Sequence, residues 1–252
     1  MLKPKLLLLL ILSAALVHLP GSAEARSVPK DRAYYESRGD IVWEVPTQDK
    51  FIALTFDDGP DAKLTPKILE LLEKYDAKAT FFVVGERVKR YPELVKKELA
   101  AGHEIGNHSF RHPAFETLSV NTIKNEMDQT QQVIYQTTGH KAVLFRPPGG
   151  VYNENIINLA KQNNMQLILW SWHQDTRDWS SPGVNKIVRK VLNNARNGDI
   201  VLMHDFVYRS SQTPEALETI LPELKKRGFS FVTVSELLTH KVSPKQHIEV
   251  NH

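Results

Sequence analysis

Apolar positions along this chain recur in two periods. Short apolar runs, apt for buried strands, fall at 51–56, 79–84, 104–106, 143–145, 166–172, 199–203 and 229–233. Helical stretches separate them. Within 64–75 the apolar positions are Ile68, Leu69, Leu71 and Leu72, with Pro66 near the start, where a helix tolerates it. Further helices are predicted at 92–101, 119–138, 153–162, 184–195, 214–226 and 235–240. Gly102, Gly139, Gly198 and Gly228 each fall just past one of these, where a left-handed cap residue belongs. Seven strand–helix units predict an α/β fold with a largely parallel sheet. No Gly-x-Gly-x-x-Gly follows the first strand, which favours a single (β/α) barrel over an open dinucleotide-binding sheet. The barrel is expected to occupy 51–240, after a lead-in segment at 26–50 and before a polar tail at 241–252.

Residues 1–25 have a different character. Lys3 and Lys5 precede an apolar run from Leu6 to Leu19, and Ala23-Glu24-Ala25 offers the small residues a signal peptidase inspects. The run is about 14 residues, shorter than the roughly 20 that span a bilayer. This segment reads as an export signal; left uncleaved, it would serve as a short N-terminal anchor. The expected location is therefore extracellular, at the cell wall.

Composition narrows the chemistry. With 252 residues, 41% of them hydrophobic and 24% charged, the chain is a globular protein. Its net charge is +3, and losing Lys3, Lys5 and Glu24 with residues 1–25 leaves +2. No basic stripe marks a nucleic-acid binder. There is no cysteine, so disulfides, thiolate metal sites and a cysteine nucleophile are excluded. No protein partner is implied, and a monomer is expected.

The unusual polar residues fall in one kind of place. Asp57 and Asp58 follow the first predicted strand, His108 and His112 the third, and Arg146 the fourth. Asp175 and Asp178 follow the fifth, and His204 and Asp205 the sixth. In a parallel barrel the C-terminal strand ends share one face, where active sites form. Two imidazoles and a carboxylate can hold a divalent metal and leave positions open. His108 and His112, four apart, can share one side of a turn. One carboxylate of the Asp57-Asp58 pair can be the third ligand while the other, pointing the opposite way, serves as a base. An imidazole acid completes the set for metal-assisted hydrolysis. Taken singly, a His-x-x-x-His is more often a solvated pair and Asp-Asp-Gly-Pro an ordinary turn. Their convergence on one face is what carries the reading.

Five ordered segments sharpen it. Thr55-Phe-Asp-Asp-Gly-Pro60, His108-Ser-Phe-Arg-His112, Arg146-Pro-Pro148, Asp175-Thr-Arg-Asp-Trp179 and Leu202-Met-His204 resemble the five motifs of the NodB-type polysaccharide deacetylases, carbohydrate esterase family 4. The resemblance spans about residues 40–240 and implies a distorted (β/α) barrel. It implies Asp57 as general base and Asp58, His108 and His112 as ligands of one divalent metal, most often Zn2+, with Co2+ or another divalent ion able to serve. By the same resemblance Arg146 orients Asp57, His204 is the general acid, Asp175 tunes His204, and Leu202 and Trp179 line the acetyl pocket. The third motif usually carries Tyr where this chain has Gly149; the backbone N–H that helps hold the oxyanion is kept, and a side-chain wall beside the sugar is lost. The implied reaction is metal-dependent N-deacetylation of N-acetylglucosamine in peptidoglycan or a related β-1,4-linked amino-sugar polymer, releasing acetate. The alternatives are O-acetyl ester cleavage on xylan-type polysaccharide and a non-catalytic carbohydrate-binding barrel.

Overall fold

The computed structural model describes residues 30–208 and 211–242; the segment read as an export signal and most of the expected polar tail lie outside the described residues. Eight strands pair in parallel: β1 (Ile41–Val42), β2 (Phe51–Asp57), β3 (Ala79–Val83), β4 (Glu104–Asn107), β5 (Leu144–Phe145), β6 (Gln166–Ile168), β7 (Asp199–His204) and β8 (Ser230–Phe231). Seven run in the order β1-β6-β5-β4-β3-β2-β7, and β8 pairs with the start of β2. The order curls the sheet until its edges approach. An antiparallel bridge between Glu44 and Asp199, a parallel bridge between Asp175 and Leu202, and a 3.0 Å hydrogen bond from Ser171 N–H to Ile200 O close the seam. The result is the expected distorted (β/α) barrel.

Nine helices are present among the described residues: α1 (Arg32–Ser37), α2 (Leu64–Lys74), α3 (Gly85–Arg90), α4 (Pro92–Ala100), α5 (Val120–Thr138), α6 (Glu154–Gln162), α7 (Val184–Leu192), α8 (Thr213–Lys226) and α9 (Val234–Thr239). Side-chain caps start several of them. Ser119 accepts from Thr122 N–H at 3.2 Å before α5, and Asn153 from Ile156 N–H at 3.0 Å before α6. The four glycines expected at caps all have positive φ.

Alternation along the strands decides which residues reach the site. On β2, Ile52, Leu54 and Phe56 face outward into a core shared with α2, α7 and α8. Ala53 faces inward with Phe82, Ile168 and Ile200. Period-2 geometry therefore directs Thr55 and Asp57 into the barrel. On β7, Val201 and Met203 pack outward, so His204 also faces in. Strands buried on both faces read as continuous apolar runs, which is why they were legible.

Four elements differ from expectation. Strand β1 lies within the segment read as a lead-in, and α1 precedes it; β1 pairs Ile41 with Leu167 and Val42 with Ile168. Helix α3 falls in what read as a connection. The apolar run 166–172 forms a strand only to Ile168, and Trp172 opens a 3-10 turn.

Candidate active site

Asp57 and His204 are register partners at the C-terminal ends of neighbouring strands β2 and β7. The backbone then reverses at Asp58, whose φ of 75° lies in the left-handed region. That reversal separates the two carboxylates. The turn also needs Gly59, because a Cβ there would sit 2.0 Å from Asp205 Oδ2.

Asp57 is buried, and fully buried Arg146 holds it. The Arg146 Nη1–H donates to Asp57 Oδ1 at 2.7 Å and to Thr55 Oγ1 at 2.8 Å. Its remaining donors reach Leu169 O at 2.8 Å and Ile168 O at 3.3 Å. The guanidinium lies 4.0 Å above the Phe82 ring. Every direction around this cation is occupied, so the Asp57 side chain has one orientation.

Asp58, His108 and His112 bring one ligand atom each within 4.8 Å of the others. Asp58 Oδ1 lies 3.4 Å from His108 Nε2 and 3.3 Å from His112 Nε2, and it is buried with no hydrogen-bond partner. An orphaned carboxylate oxygen facing two imidazole nitrogens fits a divalent cation. The tautomer fits as well: with Arg146 O only 2.7 Å from His108 Nδ1, that nitrogen carries the proton and Nε2 presents its lone pair. Burial pushes the Asp58 carboxyl up, but His108 and the other imidazoles outweigh it and hold it at about 2. Burial, with His108 beside it, pushes His112 down and favours the neutral form a metal needs. Both Asp58 and His112 sit at positive φ, 75° and 56°, so two of the three candidate ligands occupy strained backbone.

Surrounding polar groups hold that strain. Buried Glu126 of α5 accepts from Phe110 N–H at 2.9 Å and Arg111 N–H at 2.7 Å, pinning the loop between the two histidines. Asn107 accepts from Ser109 N–H at 3.0 Å. Neither Glu126 nor Asn107 was singled out from sequence. Glu126 had a signal: it sits in the stripe Ile123, Glu126, Met127, Thr130 that α5 buries.

One site expectation is corrected. The carboxylate against His204 is Asp178, not Asp175. Asp178 Oδ1 lies 2.7 Å from His204 Nδ1, and Oδ2 accepts from His204 N–H at 2.8 Å and Thr213 Oγ1–H at 2.6 Å. The physical reason is the backbone at Arg177, where φ of 52° swings Asp178 inward. Burial pushes His204 down, but Asp178 outweighs it, and with Asp58 and Asp57 raises it to about 9. Asp175 instead turns toward Arg177, accepting its backbone N–H at 3.1 Å, and lines the cavity wall.

Asp57, Asp58, His112, Gly149, Trp179, Leu202 and His204 all line one cavity of about 720 Å³. Gly149 has φ of 65°, and among the described residues its N–H has no hydrogen-bond partner. That leaves a free donor at the wall. His103, away from this cavity, is buried, accepts from Ala79 N–H at 3.2 Å, and is held at about 4 by burial. His173 pairs with Asp199 at 2.8 Å.

A buried carboxylate clamped by arginine, a histidine–carboxylate pair on the neighbouring strand and a triad able to hold a divalent cation define a hydrolase site at a barrel mouth. The chain belongs to the polysaccharide deacetylase family, whose model matches residues 44–168. It is 50% identical to a peptidoglycan-N-acetylglucosamine deacetylase of Bacillus cereus, over 83% of this chain and 98% of that one. Among solved structures, a peptidoglycan N-acetylglucosamine deacetylase superposes with a TM-score of 0.78 at 32% identity, covering 82% of this chain and 98% of that one. A family pseudoenzyme from Bacillus anthracis superposes with a TM-score of 0.73 at 33% identity, covering 81% and 70%. Fold membership and turnover are thus separable, and the side chains must decide.

Proposed function

We propose that this chain is an exported N-deacetylase of N-acetylglucosamine units in peptidoglycan, using Zn2+. The observation that carries the reaction is the placement of Asp57 and His204 as register partners that line one cavity with Asp58 and His112 of the Asp58–His108–His112 triad. A divalent ion in that triad would supply Lewis acidity toward the amide carbonyl oxygen and the attacking water. Asp57 Oδ2, the oxygen not bonded to Arg146, accepts the proton of the water. The Gly149 N–H stabilises the oxyanion on the former carbonyl oxygen. His204, protonated because Asp178 lies on its Nδ1, donates from Nε2 to the leaving nitrogen, which departs as the free amine. Leu202 and Trp179 give the acetyl methyl an apolar wall. Acetate and the amine account for every atom of amide and water.

The polymer, the metal and the location rest on different supports. Relatives named for peptidoglycan N-acetylglucosamine support the polymer. The mixed imidazole–carboxylate donor set supports zinc. The apolar segment with its small-residue site at 23–25 supports export. The test is to digest treated peptidoglycan and locate the missing acetyl group by mass spectrometry. Loss confined to glucosamine is expected. Loss from muramic acid, or acetate from acetyl xylan alone, would overturn the substrate assignment.

A further inference from the structure

A second cavity of about 690 Å³ lies across the Gly149–Gly150 turn from the catalytic one. The two cavities share Gly149, Trp170, Asp175 and Ser180 as walls, so a ligand in one continues into the other. They meet because Gly149 has no side chain: an added Cβ would find only Val151 Cγ2, 3.8 Å away, and no other atom within 4 Å. The second cavity is aromatic. Trp43, Tyr152, Trp170 and Trp172 line it, and Trp172 is 74% exposed. A tryptophan left that open beside a cleft is a platform without an occupant, and sugar rings present C–H faces that stack on such platforms.

Its rim is cationic. Lys186 and Lys190 are four apart on α7, so they share one face, while Ile187 and Val191 bury the other. Neither lysine forms an ion pair among the described residues. The carboxylate on the same wall, Asp175, lies 3.8 Å from Arg177 Nε and forms no ion pair with either lysine among the described residues. Two unpaired ammonium groups over an aromatic floor, continuous with the acetyl pocket, fit a sugar that bears a carboxylate.

We infer that this cavity is the subsite for the residue next to the deacetylated one, and that Lys186 and Lys190 recognise a carboxylate on that neighbour. The inference rests on the amino-sugar polymer reading above and deepens it, because a chitin chain has no carboxylate to offer. In peptidoglycan the carboxylate has two sources: the lactyl group of N-acetylmuramic acid and the peptide stem attached to it.

The test measures binding, so that it does not depend on turnover. Three ligands are titrated calorimetrically into the metal-loaded Asp57→Asn chain: chitotetraose, a peptide-free tetrasaccharide of alternating N-acetylglucosamine and N-acetylmuramic acid, and the same glycan with its stems. The parent is expected to prefer the acidic glycans. Lys186→Ala/Lys190→Ala is expected to reduce that preference about five- to tenfold, and 0.5 M salt to erode it in the parent. A reduced preference for the peptide-free tetrasaccharide identifies the lactyl carboxylate; a reduction only with stems identifies the stem. Trp172→Ala is expected to weaken all three ligands. No preference in the parent, a preference untouched by the lysine changes, or equal weakening of all ligands by them would overturn the inference. Acetate release by the Asp57 chain is measured in parallel. Its absence with the binding preference intact would overturn the deacetylase reading and leave the subsite standing.

Discussion

Asp178→Asn tests the assignment of acid and partner most sharply. In the folded protein His204 is raised to about 9, and Asp178 is the main group raising it. Against an ordinary imidazole at about 6.5, that difference is worth about 3 kcal/mol of preference for the charged ring. An asparagine keeps the shape and the Thr213 contact but removes the charge. Burial, which alone pushes His204 down, is then opposed only by the more distant Asp58 and Asp57. The pKa should fall by about two units or more. At pH 8 the protonated fraction should drop from about 90% to about 9% or less, and turnover about tenfold or more with it. The assay is the pH profile of kcat/KM for acetate release, with the His204 ring followed by NMR. The alkaline limb should move to lower pH in Asp178→Asn and stay in place in Asp175→Asn. An alkaline limb unmoved in Asp178→Asn, or moved by Asp175→Asn, would refute the assignment. The same shift has a stability consequence. Because the folded pKa is raised, the contribution of the pair is complete below about pH 6.5 and is lost as pH rises through about 9.

Other expectations follow from single sites. Glu98 is fully buried, neither carboxylate oxygen has a hydrogen-bond partner, and burial with Asp205 nearby pushes its pKa up. A carboxyl raised in this way costs stability as pH climbs above its unfolded value, so Glu98→Met should raise Tm by about 2–6 °C at pH 8 and much less at pH 4. A rise of equal size at both pH values would show that ionisation is not involved. Arg146→Met leaves Asp57 buried without its cation and should cost about 3–5 kcal/mol in urea unfolding; a loss under 1 kcal/mol would contradict the buried pair. Asp58→Ala, His108→Ala and His112→Ala should each lose bound metal by elemental analysis, whereas His204→Ala should keep it. Metal lost in His204→Ala would make that residue a ligand.

Much of this architecture was legible because the chemistry sits where strand runs end. Buried parallel strands give unbroken apolar runs, so Asp57, Arg146 and His204 stood out as the first polar residues after theirs, and His108 one place beyond Asn107. Periodicity failed where there was too little of it. Strand β1 is two residues, Ile41 and Val42, too short to show a period, and only pairing with β6 makes it a strand. Helix α3 is six residues long and buries only Gly85 and Val88, so no 3.6-residue stripe exists to read. The apolar run through Trp170 and Trp172 overstated β6 because Trp172 serves the second cavity rather than the sheet. Asp175 and Asp178 are equivalent in sequence, three apart in one loop. What separates them is backbone: the positive φ at Arg177 and the Thr176 hydroxyl bonded to Leu202 O at 2.7 Å, neither of which leaves a compositional trace.

The central claim is that one metal-loaded pocket, with Asp57 as its base, hydrolyses an acetamide on an amino-sugar polymer. Acetate release from peptidoglycan tests it most directly, measured before chelation, after chelation and after Zn2+ is returned, beside Asp57→Asn. The account requires release that chelation abolishes, that zinc restores, and that Asp57→Asn lacks under every condition although its metal content is unchanged. Release that survives chelation, or that persists in metal-loaded Asp57→Asn at the parent rate, would contradict it.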